Sequence, residues 1–378
     1  MSRIPTAFYA MGRFGRVAGV LTLTLVASAG NGNAQAIHSE KKLGQALFSD
    51  RNLSLDRSVA CASCHQPEHA FADIHPVSVG VRAQKGTRNV PSLLDIDEYT
   101  FFFWDGRALT LEQQAQVPFL TANEMGFSNT AQVVERVREN PRYFRAIQAM
   151  HADAHHTLGF SDVVRALMAY ERSIGTFPNS LDLYIAGDHA ALSPSAVRGL
   201  EIFRGKAGCA TCHAISATSA PLTDNAFHQS GIGLVAISPN LAKLAAAMAR
   251  LPQGERFRNI ESNSSLAALG RYIVTLNPQD IGKFRTPSLR NVAVTAPYMH
   301  NGSIATLDEA IDAELYYRGL KLGHPIVLSA RERSDLRAFL NSLSSPTAQP
   351  ARSSLIGIGR YIPTYPGPEE TGRSPWNF

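Results

Sequence analysis

Charge, cysteine and long apolar runs are all scarce in this chain, and each scarcity closes off a class of protein. Charged residues make up 18% of the 378, with 36 basic against 31 acidic. Three of the basic ones, Arg3, Arg13 and Arg16, lie in the first 36 positions, which hold no acid; beyond them 33 basic residues face 31 acidic, a net +2. With no Lys/Arg run either, nucleic acid is not an expected partner. The one long apolar run, Val17 to Ala29, is broken by Gly19, Thr22, Thr24 and Ser28. At about 13 residues it is shorter than the roughly 20 a membrane span needs, so a polytopic membrane protein is excluded. Hydrophobic residues at 44% exclude a disordered or collagen-like chain, and the length allows two domains of ordinary size.

What the first 36 residues do contain is an export pattern. Arginines precede the apolar run, a polar stretch follows, and Ala34-Gln35-Ala36 supplies an A-x-A cleavage site. Residues 1–36 are therefore expected to be a removed signal peptide, leaving a mature protein in the periplasm with no stable membrane span.

In an exported protein, four cysteines would ordinarily mean two disulfides. Their placement says otherwise. They stand as Cys61-Ala62-Ser63-Cys64-His65 and Cys209-Ala210-Thr211-Cys212-His213, two complete C-x-x-C-H motifs with no cysteine left over. This spacing attaches haem covalently: two thiols add to the vinyl groups of one porphyrin edge, and the adjacent histidine reaches the iron. A dithiol redox site has no need of the histidine, and zinc-finger ligand spacings are absent. Two haem c groups are expected, on Cys61, Cys64 and His65 and on Cys209, Cys212 and His213.

The surroundings of the two motifs match. Gly44-Gln45-Ala46-Leu47-Phe48 precedes the first and Gly199-Leu200-Glu201-Ile202-Phe203 the second, a shared G-x-x-[Leu/Ile]-Phe in a short amphipathic helix. Ser193-Pro194 reads as the N-cap and first residue of the second helix. The haem histidines are 148 positions apart. The fold expected is mainly α: two tandem c-type cytochrome domains over residues 37–178 and 179–345, then a Pro/Gly/Ser-rich tail over 346–378. Asn179 to Ser195 reads as the linker, and Phe160 to Ile174 as a helix between the motifs.

Further blocks carry a resemblance. Arg88-Asn89-Val90-Pro91-Ser92-Leu93-Leu94, Phe103-Trp104-Asp105-Gly106-Arg107-Ala108, Leu111-Glu112-Gln113-Gln114-Ala115, Glu124-Met125-Gly126, Phe284-Arg285-Thr286-Pro287-Ser288-Leu289-Arg290-Asn291-Val292 and Thr295-Ala296-Pro297-Tyr298-Met299-His300 occur in this order. Together they resemble the bacterial di-haem cytochrome c peroxidase and MauG family. The resemblance implies that the N-terminal haem reacts with peroxide beneath a distal set matched by Trp104, Gln114, Pro118 and Glu124. In that set Glu124 is the acid–base group, since breaking an O–O bond needs a group that takes a proton from one oxygen and returns it to the other. Gln114 orients peroxide or water, and Trp104 lies between the haems as an electron relay. Many of the peroxidases carry a ligating histidine sixteen residues beyond the first haem histidine; here Val81 stands there. Valine cannot bind iron, so the first iron is expected to be open at rest, as in the MauG-like branch.

The resemblance also implies a distal ligand on the second haem, Met in the peroxidases and Tyr in MauG, within Leu307 to Gly319. Counting back from Arg318-Gly319 gives Tyr316, counting forward from Leu307 gives Glu314, and Tyr317 is a further rival; Tyr316 is the choice here. Asn89, Thr295 and Pro297 match the family's calcium site, and oxygen donors suit that ion. The exit Trp of MauG, two residues before its second haem motif, is Ala207 here. The expected function is a periplasmic di-haem peroxidase that reduces hydrogen peroxide with electrons from a small cytochrome c or cupredoxin. A MauG-like oxidase acting on Trp or Tyr of a partner protein is the first alternative, and a plain di-haem electron carrier the second.

Overall fold

In this computed structural model the described residues are 37–348, except 38, 152, 154 and 346. The expected signal peptide, and the tail apart from 347–348, lie outside them. Helices follow in the order α1 (Glu40–Phe48), α2 (Leu111–Leu120), α3 (Thr130–Arg138), α4 (Pro141–Met150), α5 (Phe160–Glu171), α6 (Ser180–Ile185), α7 (Pro194–Arg204), α8 (Leu241–Ala249), α9 (Gln253–Ser262), α10 (Leu307–Leu322) and α11 (Ala330–Ser342), with shorter helical turns between them. Two small antiparallel ladders complete the described fold: β1 (Gly175–Thr176) with β4 (Thr347–Ala348), and β2 (Phe227–Gln229) with β3 (Lys283–Arg285). The chain is mainly helical, as its sequence implies. Among the described residues no helix is long and apolar enough to cross a membrane.

The repeated G-x-x-[Leu/Ile]-Phe segment has one physical job in both copies. Ser39 caps α1 by accepting from the Lys42 N–H, and Ser193 caps α7 by accepting from the Ala196 N–H, with Pro194 at the first turn. The glycine then lets a second helix cross at close range. A Cβ on Gly44 would lie 1.8 Å from the Ala166 carbonyl oxygen of α5, and one on Gly199 would lie 2.0 Å from the Asp335 carbonyl oxygen of α11. Any larger residue would force the helices apart. The phenylalanine four residues on lies in the core beneath each crossing. Phe48 meets Tyr170 edge-on at 5.0 Å and Phe203 meets Phe339 at 5.1 Å. The same rings lie 6.4 Å from His65 and 6.5 Å from His213, so each crossing positions its histidine in the same way.

Among the described residues three hydrophobic cores result. The first joins α1, α2 and α5 through Leu47, Phe48, Phe119 and Leu167. The second joins α6, α7 and α11 through Leu181, Phe203, Leu336 and Phe339. The third packs α8 and α9 around Met248, Ile260 and Ile273. The stretch read as a linker differs from expectation. Within it α6 is capped by Asn179, which accepts from the Leu181 and Asp182 N–H groups, while Arg290 holds Asp182 by two bonds of 2.7 and 2.9 Å. A capping box and a fully buried Leu181 make this a packed helix.

Candidate active site

Cys61 and Cys64 flank one turn of helix, and His65 follows with its N–H bonded to the Cys61 carbonyl. The His65 Nδ1 lies 3.0 Å from the Phe71 carbonyl oxygen. A carbonyl only accepts, so Nδ1 carries the proton and Nε2 keeps its lone pair for a metal. Burial holds this imidazole below its ordinary pKa, which keeps it neutral. The second motif repeats the arrangement: His213 Nδ1 lies 2.9 Å from the Leu222 carbonyl oxygen, and burial again lowers its pKa. Burial pushes the Cys64 thiol up to about 12 and the Cys61 thiol higher still, the opposite of a reactive dithiol.

A cavity of about 180 Å³ opens over the first motif. Cys61, Cys64 and His65 line it, and so do Trp104, Gln114, Pro118 and Glu124. The four distal residues inferred from the sequence are thus brought together over the first C-x-x-C-H. Local structure explains how. Gln113 accepts from the Leu109 N–H and so closes the start of α2, leaving its neighbour Gln114 to face the cavity. Pro118, inside α2, has no N–H for the Gln114 carbonyl one turn back. After α2 the chain folds back, with the Met125 N–H bonded to the Pro118 carbonyl at 3.1 Å. Glu124 is held by its own N–H to Thr121 O and by the Val81 N–H to its carbonyl at 2.8 Å. Val81 is buried, so its part in the site is to brace the Glu124 loop through the backbone.

The electrostatics single out Glu124. Burial raises its carboxyl to about 7, with Arg107 pulling it down and Glu261 pushing it further up. A carboxyl with that pKa exchanges protons readily near neutral pH.

Trp104 donates its Nε1–H to the Asn89 carbonyl at 2.8 Å, and the Asn89 N–H donates to the His300 carbonyl at 2.9 Å. This ties the cavity wall to the segment carrying Thr295 and Pro297. The Thr295 hydroxyl donates to the Val292 carbonyl at 3.2 Å.

The cavity also contains groups that sequence reasoning passed over. The Nε and both Nη atoms of Arg88 are buried without a hydrogen-bond partner, and its nearest acid, Asp105, is 3.6 Å away. Burial lowers Arg88 to about 10. Arg285 Nε and Glu171 Oε2 are likewise unpartnered, and burial raises Glu171 to about 8. Unpaired guanidinium donors in a largely apolar hollow fit a flat apolar group with acidic side arms, and haem with its propionates is such a group. Arg88 and Arg285 were legible only as members of their sequence blocks; Glu171, in an apolar helix, and Glu261, distant in the chain, carried no signal.

At the second motif α10 supplies the facing wall. Arg318 donates to the Thr211 hydroxyl at 3.0 Å and lies against Gly208, where a Cβ would come within 2.4 Å of its Nη2. Glu314, one turn earlier, shares that face. Burial pushes the Cys209 thiol up to about 12, with Arg318 drawing it down and Glu314 pushing it up. Glu314 is itself exposed, although desolvation by the surrounding protein raises its carboxyl and Arg318 draws it down. Tyr316, the residue chosen from the sequence, stands about 200° round α10 from Glu314 and Arg318. It is 59% exposed, as is Leu320 one turn on at 62%, and the two share a face of α10. Tyr317 lies between, its ring against Gly231 and 5.2 Å from the Tyr316 ring.

Comparison with known proteins identifies the family. The family model for di-haem cytochrome c peroxidase matches residues 38–190. The cytochrome-c peroxidase IdrP1 of Pseudomonas sp. (strain SCT) is 34% identical over 80% of this chain and 80% of its own. The methylamine utilization protein MauG of Methylorubrum extorquens is 33% identical over 83% of this chain and 79% of its own. A solved MauG-like protein associated with microbial copper homeostasis superposes with a TM-score of 0.65, at 31% identity, over 82% of this chain and 91% of that one. With two C-x-x-C-H motifs and relatives 33–34% identical over about four fifths of its length, the chain belongs to the di-haem cytochrome c peroxidase and MauG family of haem-dependent oxidoreductases.

Proposed function

We propose that this protein is an exported di-haem peroxidase of the MauG-like type, reducing hydrogen peroxide with electrons from a small redox protein. The observation that carries this reading is the convergence of Glu124, Gln114, Pro118 and Trp104 on the cavity that Cys61, Cys64 and His65 line. Cys61 and Cys64 would hold one haem by thioether bonds and His65 would bind its iron; Cys209, Cys212 and His213 would do the same for the second. When bound, the haem supplies an iron that takes up peroxide and stores oxidising equivalents. The protein supplies the rest. Gln114 orients the peroxide by hydrogen bonding. Glu124, ionised, takes the proton from the near oxygen and returns it to the leaving one. Trp104, fixed by its bond to the Asn89 carbonyl, offers a packed indole for electrons moving between the two haem domains, 37–178 and 179–345. A calcium ion held by Asn89, Thr295 and Pro297 completes the reading, supported by the bond that ties Asn89 to the same segment.

For the second haem the distal partner becomes Glu314 in place of Tyr316, because Glu314 shares the Arg318 face of α10 and Tyr316 the opposite one. Glu314→Gln is expected to shift the second haem's charge-transfer bands and spin state while Tyr316→Phe leaves the visible spectrum unchanged. The reverse pattern restores Tyr316.

A plain electron carrier has no use for an acid–base carboxyl in a distal cavity. A MauG-like oxidase of a partner protein remains the second reading, favoured by the similarity to MauG; Ala207, fully buried, offers no exit there. Holoprotein secreted to the periplasm should carry the mass of two haems and reduce peroxide with reduced cytochrome c or cupredoxin. A single haem, or no peroxide consumed with any donor, refutes the reading.

A further inference from the structure

Glu124 has a second carboxylate for company. Glu261, at the end of α9, lines the same cavity although it lies 137 positions further along the chain. Three polar contacts bring it there. The Thr87 hydroxyl donates to the Ile260 carbonyl at 2.6 Å, and Asn123 Nδ2 donates to the Glu261 carbonyl at 2.7 Å. The Thr121 hydroxyl is 3.5 Å from Glu261 Oε1. Two of the three come from the short loop that presents Glu124, so the end of α9 and that loop are fixed to each other.

Charges of both signs act on the two carboxyls. Arg107 acts on both carboxyls and Arg258, from α9 itself, on Glu261. Burial raises both carboxyls, and the negative charge of Glu261 makes that of Glu124 harder to form. Glu261, like Glu124, is partly buried, so it reaches solvent from the same cavity wall.

Stoichiometry requires such an entry. Peroxide, two protons and two electrons give two waters; Glu124 merely moves one proton from oxygen to oxygen during bond cleavage. The two consumed protons have to enter a cavity walled largely by apolar atoms, and the electrons come from the redox partner. We propose that Glu261 is a positioning residue acting through Glu124: it passes solvent protons to Glu124 and keeps its proton occupancy balanced. This rests on the acid–base reading of Glu124.

The test is Glu261→Gln in the haem-loaded protein, which keeps the backbone carbonyl that holds Asn123. Turnover with peroxide is expected to fall about tenfold, a fraction of what loss of the acid–base group itself costs, and to recover when acetate is added as a small proton carrier. Glu261→Asp should retain most of the turnover. A readout independent of activity is the infrared carboxyl band that disappears in Glu124→Gln: its titration midpoint should move below about 7 once the neighbouring negative charge is gone. Unchanged turnover with an unmoved band overturns the relay, and so does a loss that acetate does not repair with the band unmoved. If Glu124→Gln is slow while Glu261→Gln is normal, the relay falls and the role of Glu124 stands; if both are normal, both fall.

Discussion

Glu124→Gln should slow the reaction with peroxide by about 10²-fold or more while both haems stay attached, the scale expected for removing a positioned acid–base group. In energy this is about 2.7 kcal/mol or more of lost transition-state stabilisation. Gln keeps the volume and the backbone bonds to Thr121 and Val81, so the loop should hold its shape. What Gln lacks is a proton site. The pH dependence separates this from damage. Glu124 must be ionised to accept the proton, and burial has raised it to about 7. In the parent protein the peroxide rate should therefore rise with pH through about 7 and level off above; in Glu124→Gln it should be low and flat. Stopped-flow absorbance at the haem band gives both numbers. An unchanged rate would remove Glu124 from the chemistry.

Asp105→Asn should destabilise the fold by about 3–5 kcal/mol, the cost of stripping the partner from a buried charge. Asp105 is fully buried and accepts two bonds from Arg107 Nη1, at 2.9 and 3.1 Å, and one from the Arg107 N–H. It is also the acid nearest Arg88, whose own donors are unpartnered. The amide would leave two guanidiniums side by side, uncompensated, in the cavity wall. Urea unfolding of the variant measures the loss. It should be greatest before haem insertion and smaller afterwards, since the propionates of a bound haem would give Arg88 another anion. Equal melting of variant and parent would show that the Asp105 charge is dispensable.

How much of this was legible beforehand depends on whether the signal was local. Each C-x-x-C-H is five consecutive residues whose spacing itself is the chemistry, and the structure adds only the Phe71 and Leu222 carbonyls that fix the imidazoles. The repeated glycine and phenylalanine were visible as a pattern, but the helix crossing that demands the glycine lies over 100 residues away in each copy. Trp104, Gln114 and Glu124 could be placed in one site only by resemblance, because nothing in ten-residue spacing brings an α2 residue and two loop residues to one cavity. Glu261 and Glu171 were hidden for a related reason: a single carboxylate among apolar or ordinary helical residues looks like a solvated side chain until the tertiary structure buries it. On α10, Glu314, Tyr316 and Tyr317 fall within one turn, where a two-residue count error turns a side chain by about 200°. Sequence counting selected Tyr316, and helix geometry placed it on the face opposite Glu314.

The account's central claim is an open iron beneath Glu124 and a closed one at the second motif. Electron paramagnetic resonance of the as-isolated, fully oxidised protein tests it directly. One high-spin and one low-spin haem should appear, and the high-spin signal should be lost on adding peroxide without prior reduction. Two low-spin haems, with peroxide reactivity appearing only after half reduction, would contradict it.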